Sequence, residues 1–546
     1  MSDKNKIIIS NVAEYFSRNL QQIGFSTPTK STLFSLKEAV DNSLDSIDSM
    51  DGKVLPDISV IVEKLGEGHA KNSDKIRIVV SDNGPGIDPE FVGQVFGVFL
   101  ASSKATRQSP SRGSQGLGIS SAVNWAQLTQ ARGVLVVTKT PKMKKAYTCI
   151  VECDVKQNKG LIKNESYIDW NKEHGTEIEL IFDGKIVVKG ESSITAYLEG
   201  TALVNPAMTL RYKILDNEEV IINRVSDTLP LLPEPIFPHP HTLKLGEFMN
   251  YSHHFPDMPL ERWLKTGFSR VNESHINEIV KQGFDKKLLK QTASKLNDEE
   301  IKKLYGIIQK MKLPEPSTRS VISIGEEALS KSVQRLGNVD FFSVVTRKPT
   351  ICDFRPVQVE VAIARVQGMQ GEDSTVRVQR FANRVPLIFS KNGCICTEAI
   401  KSVNWKAYGL SQSKDSLPLG SYVISVSVVS PAMKFTNAAK ECISGDLDGE
   451  LYEEVRLALI NCGQKLAKFV KKEAKEEDLE RKRQYIEMFA PILIDCLFDL
   501  SGQPKSRRNN IEKGLAKLLG RDTDDAKMAL EKENDKIEKE AQSGKK

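Results

Sequence analysis

Two proline-rich breaks do most to limit what this chain can fold into. The stretch LPLLPEPIFPHPH (229–241) and the shorter LPEP (313–316) lack the backbone donors and torsional freedom that a continuing helix or central strand needs. Between them, residues 242–312 are Lys-rich and poor in β-branched runs, so a helical segment is expected. Before the first break, from Ser31 to about Ile222, helical and strand periodicities alternate as in an α/β layer. The pattern predicts a helix over Thr32–Met50 and strands at Ile58–Lys64, Lys75–Ser81, Gly133–Lys139, Ala146–Val155 and Thr176–Phe182. Beyond the second break the segment is mixed, with strands near Val357–Arg365 and Tyr422–Val429. After Asp446, Leu451, Val455, Ala458, Leu459, Cys462, Leu466, Phe469 and Val470 recur mainly three and four apart, which predicts one long helix.

At 546 residues the chain exceeds what one core can serve, and about two to four domains are expected. No apolar run reaches the roughly 18 residues of a membrane span, and Ile7–Ile9 is too short for a signal peptide core. The eight cysteines form no paired CxxC cluster and no zinc spacing, which fits reduced thiols in a cytosolic protein. A net charge of +6 permits a polyanionic partner without requiring one, because balanced Lys/Glu stretches carry much of the charge.

Three separated motifs suggest chemistry. In the first predicted helix, Glu38, Asn42 and Asp45 fall within about 60° of one another, while Leu36, Val40, Leu44 and Ile47 face the other way. A carboxylate there can orient and deprotonate a water, and a carboxamide oxygen suits Mg²⁺. A polar solvent face explains the same residues. The second motif, Asp82-Asn-Gly84-Pro-Gly86, follows a strand; its carboxylate can accept from an exocyclic amine, although a plain Asn-Gly turn is the simpler reading. The third, Arg112-Gly113-Ser114-Gln115-Gly116-Leu117-Gly118-Ile119, runs into a helix over Ser120–Gln127, so backbone N–H groups can face phosphate oxygens. It matches neither the dinucleotide fingerprint nor the Walker loop. The polar stretch 101–112 before it suits a flexible lid.

Order and spacing give these motifs their weight. Together with His174-Gly175-Thr176, the chain resembles the Bergerat-fold superfamily of gyrase, heat-shock chaperone, histidine kinase and mismatch-repair ATPases. The resemblance implies ATP and Mg²⁺ as ligands, with Glu38 as water-activating base and Asn42 as Mg²⁺ ligand. It also implies Asp82 as adenine reader assisted through water by Thr176, Gly86 beside it, and Gly113, Gly116 and Gly118 as the phosphate lid, with Ser114, Gln115, Leu117 and Ile119 between and beyond them.

Within that superfamily, residues 10–470 resemble the B subunits of type IIB topoisomerases. AEYFSRNLQQIGF (13–25) resembles their N-terminal strap, and ASSKATRQSPSRGSQGLGISSAV adds Ser103 and Lys104 as phosphate contacts. FPHPH (237–241) resembles the entry to their helix-two-turns-helix insert, and VTRKPT (345–350), RFANRVPLIF (380–389) and NWKAYGL (404–410) resemble their transducer. Ala439-Lys440-Glu441 matches the transducer loop whose lysine reaches the γ-phosphate. One position departs: Ser120 stands where the family carries a lysine, which shifts charge neutralisation toward Lys104 or Lys440.

The implied fold is α+β and multidomain. It comprises a strap (1–30), a Bergerat-fold ATPase α/β sandwich (31–236), a helix-two-turns-helix insert (237–312) and a βαβ-type transducer (313–470) with a long stalk helix. Residues 471–546 complete it as a helical extension with a charged tail. No nucleophilic tyrosine with an acidic cluster is evident, and Asp446-Leu-Asp448 reads as a solvated loop. The resemblance places DNA cleavage on a separate A subunit in an A2B2 heterotetramer, with Tyr485–Leu500 as a candidate docking surface or ordinary helix packing. It further implies an ATP-dependent B–B homodimer around double-stranded DNA, a nucleoid-associated cytoplasmic location and no membrane partner. Lys281, Lys286, Lys287, Lys290, Lys295, Lys302 and Lys303 either meet phosphates or form a solvated surface. The rival reading is an ATP-regulated clamp or scaffold of a DNA-repair or DNA-break complex, against which Glu38 speaks.

Overall fold

Helix Pro28–Asp48 (α2) starts four residues before the sequence expectation because Thr27 caps it, accepting from Lys30 N–H at 3.2 Å, and Pro28 occupies its first turn. Its apolar stripe is fully used: Leu36, Val40, Leu44 and Ile47 are all buried. Ahead of it, Val12–Arg18 (α1) is closed by a capping box between Asn11 and Glu14. These elements belong to a computed structural model that describes residues 11–101, 108–113, 116–230, 235–369, 371, 373–502, 507, 511 and 514. The chain divides into two compact units, Met1–Leu466 and Ala467–Lys546.

In the first unit, α2 lies against an eight-stranded sheet. Its strands are Asp57–Glu67 (β1), Asp74–Ser81 (β2), Val134–Lys139 (β3), Ala146–Asp154 (β4), Lys159–Ile168 (β5), Gly175–Gly184 (β6), Thr209–Ile214 (β7) and Val220–Ile222 (β8). Their order is β5-β4-β3-β6-β2-β1-β7-β8, antiparallel throughout except for the parallel β1–β7 pair. Helices Pro89–Gly97 (α3), Gly118–Gln130 (α4) and Ile194–Val204 (α5) complete this α/β sandwich. The edge strand β5 is absent from the sequence expectation. It has no buried residue, so it lacks the period-2 apolar signal by which a half-buried strand is read.

Between the proline breaks, Leu245–Ser252 (α6), Leu260–Thr266 (α7), Glu273–Lys281 (α8) and Asp298–Lys310 (α9) form the expected helical segment. Phe248, Trp263 and Phe268 fill its separate core, with ring centroids 4.9 to 5.4 Å apart.

The second sheet contains Val339–Thr346 (β9), Thr350–Cys352 (β10), Arg355–Val366 (β11), Arg377–Ala382 (β12), Val385–Pro386 (β13) and Tyr422–Val429 (β14). The order β10-β11-β14-β12-β13, with β9 also on β11, pairs β12 parallel to β14; helix Ile395–Ser402 (α11) lies in the connection between them, giving the expected βαβ unit. Helix Glu326–Val333 (α10) covers part of this sheet and also packs on α5. At its centre the buried Glu360 carboxylate accepts from Ile324 N–H, Gly325 N–H, Ser323 Oγ and Thr346 Oγ1, as a buried charge must. Leu203 and Val204 of α5 share a core cluster with Leu329, Val333 and Phe381, so α5 serves both layers.

The long helix is Glu450–Ser501 (α12). In the first unit it buries Val455, Ala458, Leu459, Cys462 and Leu466. In the second unit Tyr485, Met488, Ile492, Leu493, Leu497 and Leu500 are exposed. Among the described residues no helix is long and apolar enough to cross a membrane.

Candidate nucleotide site

The apolar face of α2 fixes its polar face over the sheet, and that face meets the lid. Glu38, Asn42 and Asp82, with Gly86, Gly113, Gly116, Leu117, Gly118, Ile119, Ser120, Thr176 and Lys440, line one cavity of about 650 Å³. Residues from several separated stretches of sequence thus converge. Ser103, Lys104, Ser114 and Gln115 lie outside the described residues.

Asp82 stands at the end of β2 and is 3% exposed. Its Oδ1 accepts from Gly84 N–H at 2.9 Å and Thr176 N–H at 3.0 Å; its Oδ2 accepts from Ser43 Oγ at 2.7 Å. Burial raises the carboxyl above the ordinary carboxylate range, and these three donors oppose the rise. Thr176 therefore acts directly on Asp82 through its backbone, while its hydroxyl sits 3.4 Å from that of Thr138. Lys172 Nζ donates to the Asp82 carbonyl at 3.0 Å and to Ser81 Oγ at 2.6 Å, holding the strand end from behind.

The lid is tied to α2 by Asp45. Its Oδ1 accepts from Arg112 N–H at 3.2 Å and Arg112 Nη1 at 3.0 Å, and its Oδ2 accepts from Gly113 N–H at 3.0 Å. Gly116 has φ +64°, and a Cβ there would stand 2.5 Å from the Ala101 carbonyl oxygen. Gly118 opens α4, and a Cβ on it would overlap the Glu38 carboxylate, so glycine lets the acid reach the helix N-terminus. Ser120 is buried, and its hydroxyl donates to the Val98 carbonyl at 2.8 Å.

Asn42 is exposed, within reach of the lid: its Oδ1 lies 3.2 Å from where a Gly113 Cβ would stand. One amide oxygen beside a lid glycine in this cavity fits magnesium, which keeps several water and phosphate oxygens as ligands. Among the described residues no group of three or more His, Cys, Asp or Glu side chains could hold a metal ion.

Lys440 reaches this site from the second sheet's loop. It adopts φ +55°, and its Nζ donates to the Arg112 carbonyl at 2.8 Å. Burial and the nearby Lys37 lower its pKa, against the pull of Glu38, Asp41 and Asp45. An arriving anion would relieve that cost.

The same two layers are recognisable in known proteins. Residues 34–157 match the family described as histidine kinase-, DNA gyrase B- and HSP90-like ATPase, and residues 316–482 match topoisomerase VI B subunit, transducer. The B subunit of type 2 DNA topoisomerase 6 from Methanococcoides burtonii is 35% identical over 511 residues, covering 93% of this chain and 79% of that protein. The chain belongs to the topoisomerase VI B-subunit family. The corresponding protein of Pyrococcus horikoshii is 31% identical, with 91% of this chain and 93% of that protein covered. The ATPase region of Saccharomyces cerevisiae topoisomerase II aligns over 86% of this chain and 99% of its own at 12% identity and a TM-score of 0.42, too loosely to place residues. As a family member the chain is a nucleotide-binding, ATP-hydrolysing topoisomerase subunit.

Several residues that shape this family site escape a motif reading. Ser43 and Lys172 each hold Asp82, yet in sequence they are ordinary polar positions of a helix and a loop. Asp48 joins the lid to the second sheet, accepting from both Arg112 Nη1 at 2.7 Å and Arg384 Nη2. Only the fold brings Arg384 there. Asp446 and Asp448 lie exposed in a loop, as expected.

Proposed function

We propose that this chain is the ATP-driven clamp subunit of a type IIB topoisomerase, gating passage of one duplex DNA through another that a separate A subunit cuts. The observation that carries this reading is the arrival of Lys440 at the cavity lined by Glu38, Asn42 and Asp82. A cation delivered by a second domain can respond to a terminal phosphate and lose its partner on hydrolysis.

In this mechanism Asp82 accepts from the adenine amine, with Ser43, Gly84 and Thr176 fixing its orientation. Gly113, Gly116 and Gly118 let the backbone close on the phosphates, joined by Ser103, Lys104, Ser114 and Gln115. Asn42 would hold magnesium through Oδ1; when bound, the ion would neutralise phosphate charge. Glu38 takes the proton from the attacking water. Lys440 shifts from the Arg112 carbonyl to the γ-phosphate, and the lid and transducer move together. Two such subunits close around the duplex, and hydrolysis releases them. The exposed apolar residues of Tyr485–Leu500 suit an A-subunit contact.

Relaxation of supercoiled DNA, measured with and without a co-expressed A subunit, tests the division of labour. Activity is expected only with both subunits and ATP; relaxation by this chain alone would overturn it. Glu38→Ala should dimerise with ATP while losing turnover, and unchanged hydrolysis would remove Glu38 from its role.

A further inference from the structure

Beside Glu38, outside the lining of the nucleotide cavity, a lysine is buried. Lys37 is 7% exposed and helps line a small pocket of about 70 Å³ with Arg112 and Lys440. Its Nζ lies 2.8 Å from Asp41 Oδ2 and 3.4 Å from Glu38 Oε1. Asp41, itself 1% exposed, also accepts from Tyr197 OH at 3.0 Å. Neighbouring residues on a helix do not face one another. Lys37 meets Glu38 only because Asp41, one turn on, draws the ammonium along the helix, and Tyr197 of α5 holds Asp41.

Both Glu38 oxygens are thereby located. Oε1 faces Lys37, and Oε2 lies against Gly118 at the start of α4. A glutamate left to itself samples several rotamers, and ordering it costs side-chain entropy. The charge arrangement also matters, because a carboxylate must work beside a polyphosphate. Lys37 sets a cation beside that carboxylate, 3.4 Å from Oε1. Burial pulls the Lys37 ammonium down, but Asp41 and Glu38 more than offset this and leave it raised. Among the described residues, the other charged groups acting on this cluster are Lys440 on the second sheet's loop, Arg112 on the lid and Asp45 on α2.

We propose that Lys37, anchored by Asp41 and Tyr197, is a positioning residue for ATP hydrolysis that fixes Glu38 Oε1 and leaves Oε2 to take the proton from water. The proposal rests on the reading of Glu38 as the base. It assigns Lys37 to the chemical step and not to nucleotide binding.

The test compares full-length wild type with Lys37→Met, Lys37→Arg, Tyr197→Phe and Glu38→Gln. Steady-state ATPase rates and affinity for a non-hydrolysable ATP analogue are measured for each. Misplacing a catalytic group by an ångström costs about 100-fold, so Lys37→Met should lower kcat by about 10- to 100-fold with analogue affinity within about twofold. Lys37→Arg should recover most of the rate, because it restores a cation between the two carboxylates. Wild-type kcat in Lys37→Met, with Glu38→Gln inactive, overturns the Lys37 role and leaves the Glu38 reading standing. An active Glu38→Gln instead overturns the Glu38 reading. Parallel loss of rate and affinity without rescue by arginine marks a purely structural lysine, which also overturns the proposal. Should Lys37→Met fail to fold, Tyr197→Phe decides. Loosening Asp41 should lower kcat by about threefold at unchanged affinity, and an unchanged kcat overturns it.

Discussion

Lys440 Nζ donates to the Arg112 carbonyl oxygen at 2.8 Å, joining residues 328 positions apart in sequence and binding the transducer loop to the lid. The contact is an electrostatic compromise. A half-buried ammonium held by one carbonyl is under-satisfied, and a terminal phosphate is a stronger partner.

On that reading Lys440→Ala should lower ATPase kcat by about 10- to 100-fold, as removal of a cation aimed at developing phosphate charge does elsewhere. Analogue-induced dimerisation should weaken as well, because the transducer no longer reads the nucleotide. Steady-state ATPase rates and crosslinking of the analogue-bound dimer measure the two effects. A variant with wild-type values in both would exclude Lys440 from γ-phosphate sensing.

Asp48 makes a second cross-domain tie, between Arg112 of the lid and Arg384 of the transducer. Burial would raise its pKa, but the two guanidiniums outweigh burial and hold it at about 2, against an ordinary 3.8. A folded-state pKa below the unfolded value contributes stability that is present above pH 3.8 and lost as pH falls toward 2. The loss amounts to about 2 kcal/mol. Asp48→Asn should remove that part of the acid dependence and lower the melting temperature at neutral pH, since Arg384 loses its ion-pair carboxylate and Arg112 keeps only Asp45. Calorimetric melting between pH 5 and about pH 2.5 compares the variants; parallel pH profiles for Asp48→Asn and wild type would rule out this linkage.

The sequence exposes some of these relationships and hides others for physical reasons. Helix α2 is legible because Leu36, Val40, Leu44 and Ile47 keep helical period, and the opposite face then groups Glu38, Asn42 and Asp45. Lys37 and Asp41 share that helix, yet in sequence they are ordinary charged residues. Their burial depends on Tyr197 and on the transducer, which arrive from distant segments. Asp48, beside Arg384, is hidden in the same way. Strand β5 carries no pattern because neither face is buried, whereas β14 matches its expected bounds, Tyr422–Val429, because a largely apolar, β-branched run of that length, broken only by Ser425 and Ser427, fits a strand covered on both sides. Motif spacing thus finds residues that line the cavity better than those that hold them in place.

Asp82 offers the cleanest separation of binding from chemistry. Its three protein donors leave the carboxylate otherwise committed to the cavity, and an amide cannot accept from all of them with the same charge. Asp82→Asn also places an NH₂ group among donors, namely Ser43, Gly84 and Thr176, so an unfavourable contact replaces a hydrogen bond. Nucleotide affinity should fall by about 10- to 100-fold, equivalent to the one or two hydrogen bonds lost. Isothermal titration with a non-hydrolysable analogue reads it directly, and wild-type affinity would sink the adenine assignment.

The helical insert provides a test of DNA contact that does not depend on turnover. Lys281, Lys286, Lys287, Lys290, Lys295, Lys302 and Lys303 all lie exposed on it, and Lys303 Nζ already donates to the Gly283 carbonyl at 2.6 Å. Lysines that meet phosphates release counterions, so each contact contributes about 0.9 to the slope of log affinity against log salt. Replacing Lys286, Lys287 and Lys290 with alanine should therefore flatten that slope by about 2 to 3 and weaken binding of unrelated duplexes alike. The ATPase rate without DNA should stay at the wild-type level, because the insert has its own aromatic core around Phe248, Trp263 and Phe268. Duplex binding measured by fluorescence anisotropy across a salt series decides the matter. An unaltered slope would make these lysines a solvated face, and the DNA path would then have to run over other parts of the chain.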